Sequence, residues 1–120
     1  MWISRKLTEN SSYHTAERGR ITVSNKDKLE ADGSLNTRNV ISYSPYGYSS
    51  LPPKGEEVLL LPFSNGQVAV GTRDRQDKLN SGEVRISSAG GASIVLKNDG
   101  SVVINNRFVI NKEGEISGGI

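Results

Sequence analysis

The last third of the chain, Ser81 to Ile120, restricts the available folds more than any other stretch. It contains no proline, yet it carries 7 of the 13 glycines and 11 of the 19 isoleucines and valines, with charges balanced at four against four. Three segments in it share one form, namely polar, apolar, Val, apolar, polar. They are Ser93-Ile94-Val95-Leu96-Lys97, Ser101-Val102-Val103-Ile104-Asn105 and Arg107-Phe108-Val109-Ile110-Asn111. Asn98-Asp99-Gly100 and Lys112-Glu113-Gly114 read as turns, and Glu115-Ile116-Ser117 begins a further short strand. Because strand side chains alternate, the outer apolar pair of each unit lies on one face and its Val on the other.

A lone ribbon of such short strands leaves both faces wet and is marginal without another layer. No window of the sequence has a helical period that would supply one. Two arrangements remain. The segment can form a meander packed on the rest of the chain, or identical segments from several chains can wrap together around a shared axis. The second is the more economical, since repeats that cannot bury their faces alone need stacked neighbours. It assigns Ile94, Leu96, Val102, Ile104, Phe108, Ile110 and Ile116 to the axis.

The rest of the composition agrees with a chain that needs partners. Ile, Val, Leu and Phe make up 25% of the 120 residues, enough for a small core only, and net charge is +2. The 15 Lys and Arg are interleaved with 13 Asp and Glu, as in Arg73, Asp74, Arg75, Asp77 and Lys78. A phosphate-backbone footprint needs uncompensated cations clustered together, so no nucleic-acid partner is expected. The lack of cysteine removes disulfides, thiolate metal sites and Cys nucleophiles. Arg5 and Lys6 are followed by no apolar stretch, so these residues are not expected to act as a signal peptide. The longest apolar run, Val58 to Leu61, is far shorter than a bilayer span.

Residues 1–16 read as an arm, either a loose terminus or a segment ordered by a partner through Trp2 and Ile3. From 17 to 80 the pattern is that of a small barrel. Arg20 to Ser24 alternates as a strand, Ala31-Asp32-Gly33-Ser34 reads as a turn and Thr37 to Tyr43 as a second strand. An irregular loop from Ser44 to Gly55 follows. Glu57 to Phe63 is an apolar strand whose Pro62 marks an end or an edge. Asn65-Gly66 is a hairpin signal returning into Gln67 to Thr72. Four or five short strands in such a length fit an oligonucleotide-binding (OB) type barrel or a compact sandwich. Residues 73–80 are a polar connection, and 81–120 form the repeat segment.

Pro45-Tyr46-Gly47-Tyr48-Ser49-Ser50-Leu51-Pro52-Pro53-Lys54-Gly55-Glu56-Glu57-Val58-Leu59, through Tyr46, Gly47, Pro52, Pro53, Gly55 and Glu56, is similar to the tyrosine-glycine, proline, glycine-glutamate signature of the Mu-like phage baseplate central spike family. Leu79-Asn80-Ser81-Gly82-Glu83-Val84-Arg85-Ile86-Ser87-Ser88-Ala89-Gly90-Gly91 resembles its crossover from barrel to spike, marked by Gly82, Glu83, Gly90 and Gly91. The match covers roughly residues 17 to 116. The resemblance implies an all-β protein, an N-terminal OB-type barrel followed by an intertwined trimeric β-helix or β-prism. It further implies a homotrimer in the virion tail baseplate, assembled in the host cytoplasm. A hub protein would sit at its N-terminal side, and its point would cross the host outer envelope when the sheath contracts. Many members end in a His-x-His pair that binds iron on the threefold axis. Here the only histidine is His14, and nothing after Gly114 resembles a ligand pair, so no iron or other cofactor is expected. The end Ser117 to Ile120 is a blunt tip or the seat of a separate tip protein.

Other constellations have plainer accounts. A three-histidine metal site from His14 in a trimer is chemically possible, but a solvated terminal histidine suffices. Tyr43, Tyr46 and Tyr48 could stack bases, the alternative function being a single-strand-binding module, but no basic funnel accompanies them. Glu56-Glu57 and Glu113/Glu115 are paired carboxylates of the kind glycosidases use, yet Glu56 and Glu57 diverge as adjacent strand residues. Gly90-Gly91 lacks the helix and lysine of a phosphate loop. The expectation is therefore a structural protein and not an enzyme, with a hub connector that never meets a membrane as a further alternative.

Overall fold

The computed structural model describes residues 15–37, 39–75 and 78–118, and among them it is all-β, with two sheets and no helix. Contacts divide the chain into two units, up to Asp74 and from Arg75 onward.

The first unit is a six-stranded, curled half-barrel made of β1 (Glu17–Ser24), β2 (Leu29–Asp32), β3 (Asn36–Thr37), β4 (Ile41–Ser42), β5 (Glu57–Phe63) and β6 (Gly66–Thr72). The strand order is β3-β2-β1-β5-β6-β4, antiparallel except for the β4–β6 pair. Alternation along β1, β2 and β5 sends Ile21, Leu29, Ala31, Val58 and Leu60 inward, where they meet Val40 and Ala69. That core is small, and Leu60, wholly buried, lies deepest in it. Gly19 of β1 lets Leu60 lie close against the strand, since a Cβ there would stand 2.5 Å from Leu60 Cδ1 and make that side chain shift. The half-buried Glu17 carboxylate lies on the same face of β1 as Gly19 and Ile21 and ties the strand to its neighbours. Its Oε1 accepts hydrogen bonds from the Ser34 hydroxyl (2.9 Å), the Ser34 N–H (2.8 Å) and the Gln67 amide (3.1 Å). These bonds hold its carboxyl below the ordinary range.

The structure corrects three details of the sequence reading in this unit. Ala31 and Asp32 end strand β2 and are not a turn, because both pair with β1 and Ala31 fills the core. Thr37 to Tyr43 is two strands, interrupted at Asn39, whose φ of 56° is left-handed and cannot continue a strand. The β5–β6 hairpin turns at Ser64-Asn65, one residue earlier than expected. Ser64 takes the positive φ (54°), and Gly66 already pairs with Phe63. Pro62 sits late in β5, and β1 reaches only as far as Leu60, so its missing N–H has no β1 partner to disappoint.

The second unit is a five-stranded antiparallel meander of β7 (Val84–Ser87), β8 (Ser93–Leu96), β9 (Val102–Ile104), β10 (Phe108–Ile110) and β11 (Ile116–Gly118), each strand beside its sequence neighbours. Three of its four connections are alike. In each, a residue donates its N–H to the carbonyl four positions on, and the N–H of a left-handed glycine returns to that residue's own carbonyl. The pairs are Ser88 with Gly91, Lys97 with Gly100, and Asn111 with Gly114. The β9–β10 connection instead places Asn105 and Asn106 at positive φ, closed by Arg107 N–H to Ile104 C=O. Asparagine tolerates that region better than other side chains.

Candidate functional site

The pairing register of the second unit sorts its side chains into rows. Ile86, Ile94, Ile104 and Phe108 lie side by side across the sheet, and beside them run Val84, Leu96, Val102, Ile110 and Ile116. These nine large apolar residues share one face. The other face carries Arg85, Val95, Val103, Val109 and Ser117 in a single row.

The first face is uncovered by anything in its own unit. Val84, Ile86, Ile94, Leu96 and Ile116 are 42–65% exposed, and Val102, Ile104, Phe108 and Ile110 are only half-buried. Every residue expected at an axis is thus on this face. Val84 and Ile86 join it as well, although the sequence reading left them out. Their signal was present, since Glu83-Val84-Arg85-Ile86-Ser87 repeats the unit form with Arg in place of the central Val. Scattered surface apolar residues are ordinary, whereas a contiguous apolar face of this extent is not.

The crossover residues organise the entrance to this sheet. Glu83 Oε1 accepts the Asn80 N–H (3.1 Å) and Oε2 the Asn98 N–H (3.3 Å), while Asn98 Nδ2 donates to Ser81 C=O (2.9 Å). The segment before β7 is thereby tied to the β8–β9 turn. Hydrogen bonds from the Asn80 and Asn98 backbone hold the Glu83 carboxyl below its usual range. Gly82 (φ 99°) lies against Asn98, and Gly90-Gly91 forms the β7–β8 turn.

The signature loop of the first unit has two halves of different character. Ser24 Oγ donates to Pro52 C=O (2.6 Å), and Arg20 Nη1 to Gly55 C=O (2.7 Å). The Gly55 N–H donates to Ile21 C=O, and the Ile21 N–H to Glu56 C=O. Pro52 to Glu56 is therefore strapped onto β1. Tyr46, Tyr48 and Leu51 project into solvent, as does Gly47 between them. Tyr43 is half-exposed and stacks at a tilt on Phe63, with ring centroids 5.9 Å apart. Of the paired carboxylates, Glu57 faces Arg73 at 3.6 Å, and Glu115 accepts from Asn111 Nδ2 at 3.2 Å.

Trp2, Ile3 and His14 lie outside the described residues, as does Ile120. Among the described residues, no group of three or more His, Cys, Asp or Glu side chains is placed to hold a metal ion. No protein-family model and no curated protein matches the chain.

Proposed function

We propose that the chain is a structural, homotrimeric central spike of a contractile-tail baseplate, its barrel toward the hub and its repeat segment forming the piercing point. One observation carries the reading: nine large apolar side chains stand in two registered rows on one face of a five-stranded sheet that has no second layer of its own. Three copies of this sheet, each turning its apolar face inward, would enclose a shared apolar axis. The outer faces then carry the Arg85 to Ser117 row and the polar turns. A dense antiparallel ladder wrapped around a dry axis resists bending, which is what driving a point through an envelope demands. The two sequence signatures support the same reading, because the crossover residues Gly82 and Glu83 fix the entry into this sheet.

The test is native mass. Light scattering gives three times the chain mass of 13.0 kDa, with resistance to mild detergent, if the reading holds. A monomer at all concentrations refutes it. Electron microscopy of tails, showing whether the Ile120 end points away from the tube, separates a spike from a hub connector.

A second reading has one observation in its favour. Tyr43, Tyr46 and Tyr48 are all solvent-exposed on the first unit, Tyr46 fully so, and exposed aromatics are what single-strand binders stack bases upon. Tight, salt-sensitive binding of single-stranded DNA by the monomer would select it.

A further inference from the structure

The chain contains three pairs in which glycine follows asparagine or aspartate, namely Asp32-Gly33, Asn65-Gly66 and Asp99-Gly100. Such pairs are chemically vulnerable, because a glycine nitrogen, with no side chain beside it, can come close to the carbonyl carbon of the preceding side chain. The fold treats the three differently.

Two of them are held away from that approach. Asp32 pairs with Arg20 on one side and Asn36 on the other, and the Gly33 N–H donates to Leu35 C=O at 3.1 Å. Asp99 Oδ1 accepts the Ser101 hydroxyl at 2.6 Å and the Ser101 N–H at 2.9 Å, while the Gly100 N–H donates to Lys97 C=O at 3.0 Å. The Ser101 bonds also hold the Asp99 carboxyl below its usual range, which keeps it a carboxylate and a poor electrophile.

Asn65 differs in each respect. It lies at the tip of the β5–β6 hairpin, exposed together with Ser64 and Gly66, and its side chain has no hydrogen-bond partner among the described residues. The space beside Gly66 is open, since an added Cβ would meet nothing within 4 Å. Gly66 forms the last rung of the ladder, opposite Phe63. Rungs at an exposed end open locally at little cost. This one adjoins Ser64, whose φ of 54° is a strained value for a residue with a Cβ.

We propose that Asn65 is a site of spontaneous deamidation, giving isoaspartate at the hairpin tip. The Gly66 nitrogen loses its proton to solvent base and attacks Asn65 Cγ. The new N–Cγ bond closes a succinimide ring as the Cγ–Nδ2 bond breaks, and the amide nitrogen takes up a proton and leaves as ammonia. Water then adds to the former main-chain carbonyl of Asn65 and breaks its bond to the Gly66 nitrogen, so the chain continues through the side-chain carbon. Amide and water become acid and ammonia, with no oxidation or reduction. The product places a methylene in the main chain and a new carboxylate beside Phe63, within the turn that sets the β5–β6 register. The site belongs to the first unit and does not depend on the oligomeric reading.

The experiment incubates the full-length protein in mildly acidic and mildly alkaline buffers and maps its peptides by mass spectrometry, with methylation by an isoaspartyl methyltransferase as the probe of the product. Expected is an acid-for-amide mass gain at Asn65 that is faster in alkali, because the attacking nitrogen must lose a proton. Gly66→Ala, which the open space accommodates, should slow it several-fold. Asp99→Asn sets the same amide before Gly100 and should convert several-fold more slowly than Asn65. Three outcomes overturn the proposal: Asn65 remaining intact while a synthetic peptide of the Pro62 to Gln67 sequence converts, Gly66→Ala reacting at the wild-type rate, or Asp99→Asn converting at position 99 as fast as Asn65 does.

Discussion

Replacing Ile104 with aspartate puts a carboxylate at the middle of the apolar face, between Ile94 and Phe108 in the same row. In a single chain the change is mild. Ile104 is only half-buried there, so the lost burial is about 1 kcal/mol, a fraction of the 1.5–3 kcal/mol for a fully buried side chain. In a trimer built on this face the same residue enters a shared dry core three times over. An uncompensated buried charge costs about 3–5 kcal/mol, so three cost roughly 9–15 kcal/mol per assembly, before their mutual repulsion. At about 1.4 kcal/mol per factor of ten, the assembly constant falls by at least roughly six orders of magnitude. Multi-angle light scattering across a concentration series should therefore give the monomer mass for Ile104→Asp, while far-UV circular dichroism keeps its β signature. Arg107→Asp introduces a carboxylate three positions away on an exposed turn and should leave the trimer intact. An Ile104→Asp protein of normal trimer mass and melting temperature would refute the assignment of this face to the interior.

Three further outcomes follow from local geometry. Gly100→Ala should destabilise the second unit by about 1–3 kcal/mol in denaturant unfolding, because Gly100 has φ 88° and a Cβ there would stand 2.8 Å from Lys112 Cβ; an unchanged midpoint would contradict the turn geometry. Leu60→Ala should cost the first unit about 2–5 kcal/mol, read from urea midpoints, since Leu60 is fully buried. Acid should weaken both units. Hydrogen bonds depress the Glu17, Glu83 and Asp99 carboxyls, with the Ser101 hydroxyl the chief cause at Asp99. The unfolded chain then binds more protons, so this stabilisation is complete above the ordinary values of 4.5 and 3.8 and is lost as pH falls through the lowered folded ones. Melting temperatures should decline below that range, and Glu83→Gln should flatten part of the decline; an unaltered acid limb in that variant would discount its role.

The second unit was almost fully legible in the sequence, and the first only in part. Strands β8, β9 and β10 coincide with the three repeat units because period-2 alternation and glycine turns are local signals that agree with each other. Strand β5 was equally plain, being a dense apolar run. Leu29-Glu30-Ala31-Asp32 was not, because Ala31-Asp32 followed by Gly33-Ser34 looks like a turn until β1 pairs with the first two. The break at Asn39 and the parallel β4–β6 pair depend on contacts distant in sequence, for which no local pattern exists.

The turns of the second unit do more than reverse the chain. Strand side chains alternate with a period of two, so a slip of one residue at any connection would move that strand's apolar pair to the opposite face. Three identical connections, each ending in a left-handed glycine at Gly91, Gly100 or Gly114, add the same phase every time. At the fourth, Asn105 locks the phase directly, with its N–H on Ser93 C=O and its Oδ1 taking the Ser93 N–H, both at 2.9 Å. The nine apolar residues share one face because four turns agree on register. If that face is an assembly surface, its specificity lies in the glycines and asparagines at its margins as much as in the isoleucines and valines upon it. An insertion of one residue after Asp99 should then abolish assembly as completely as Ile104→Asp, although it removes no apolar residue. Light scattering of that insertion variant tests the inference, and a trimer of normal mass would show that register does not govern the surface.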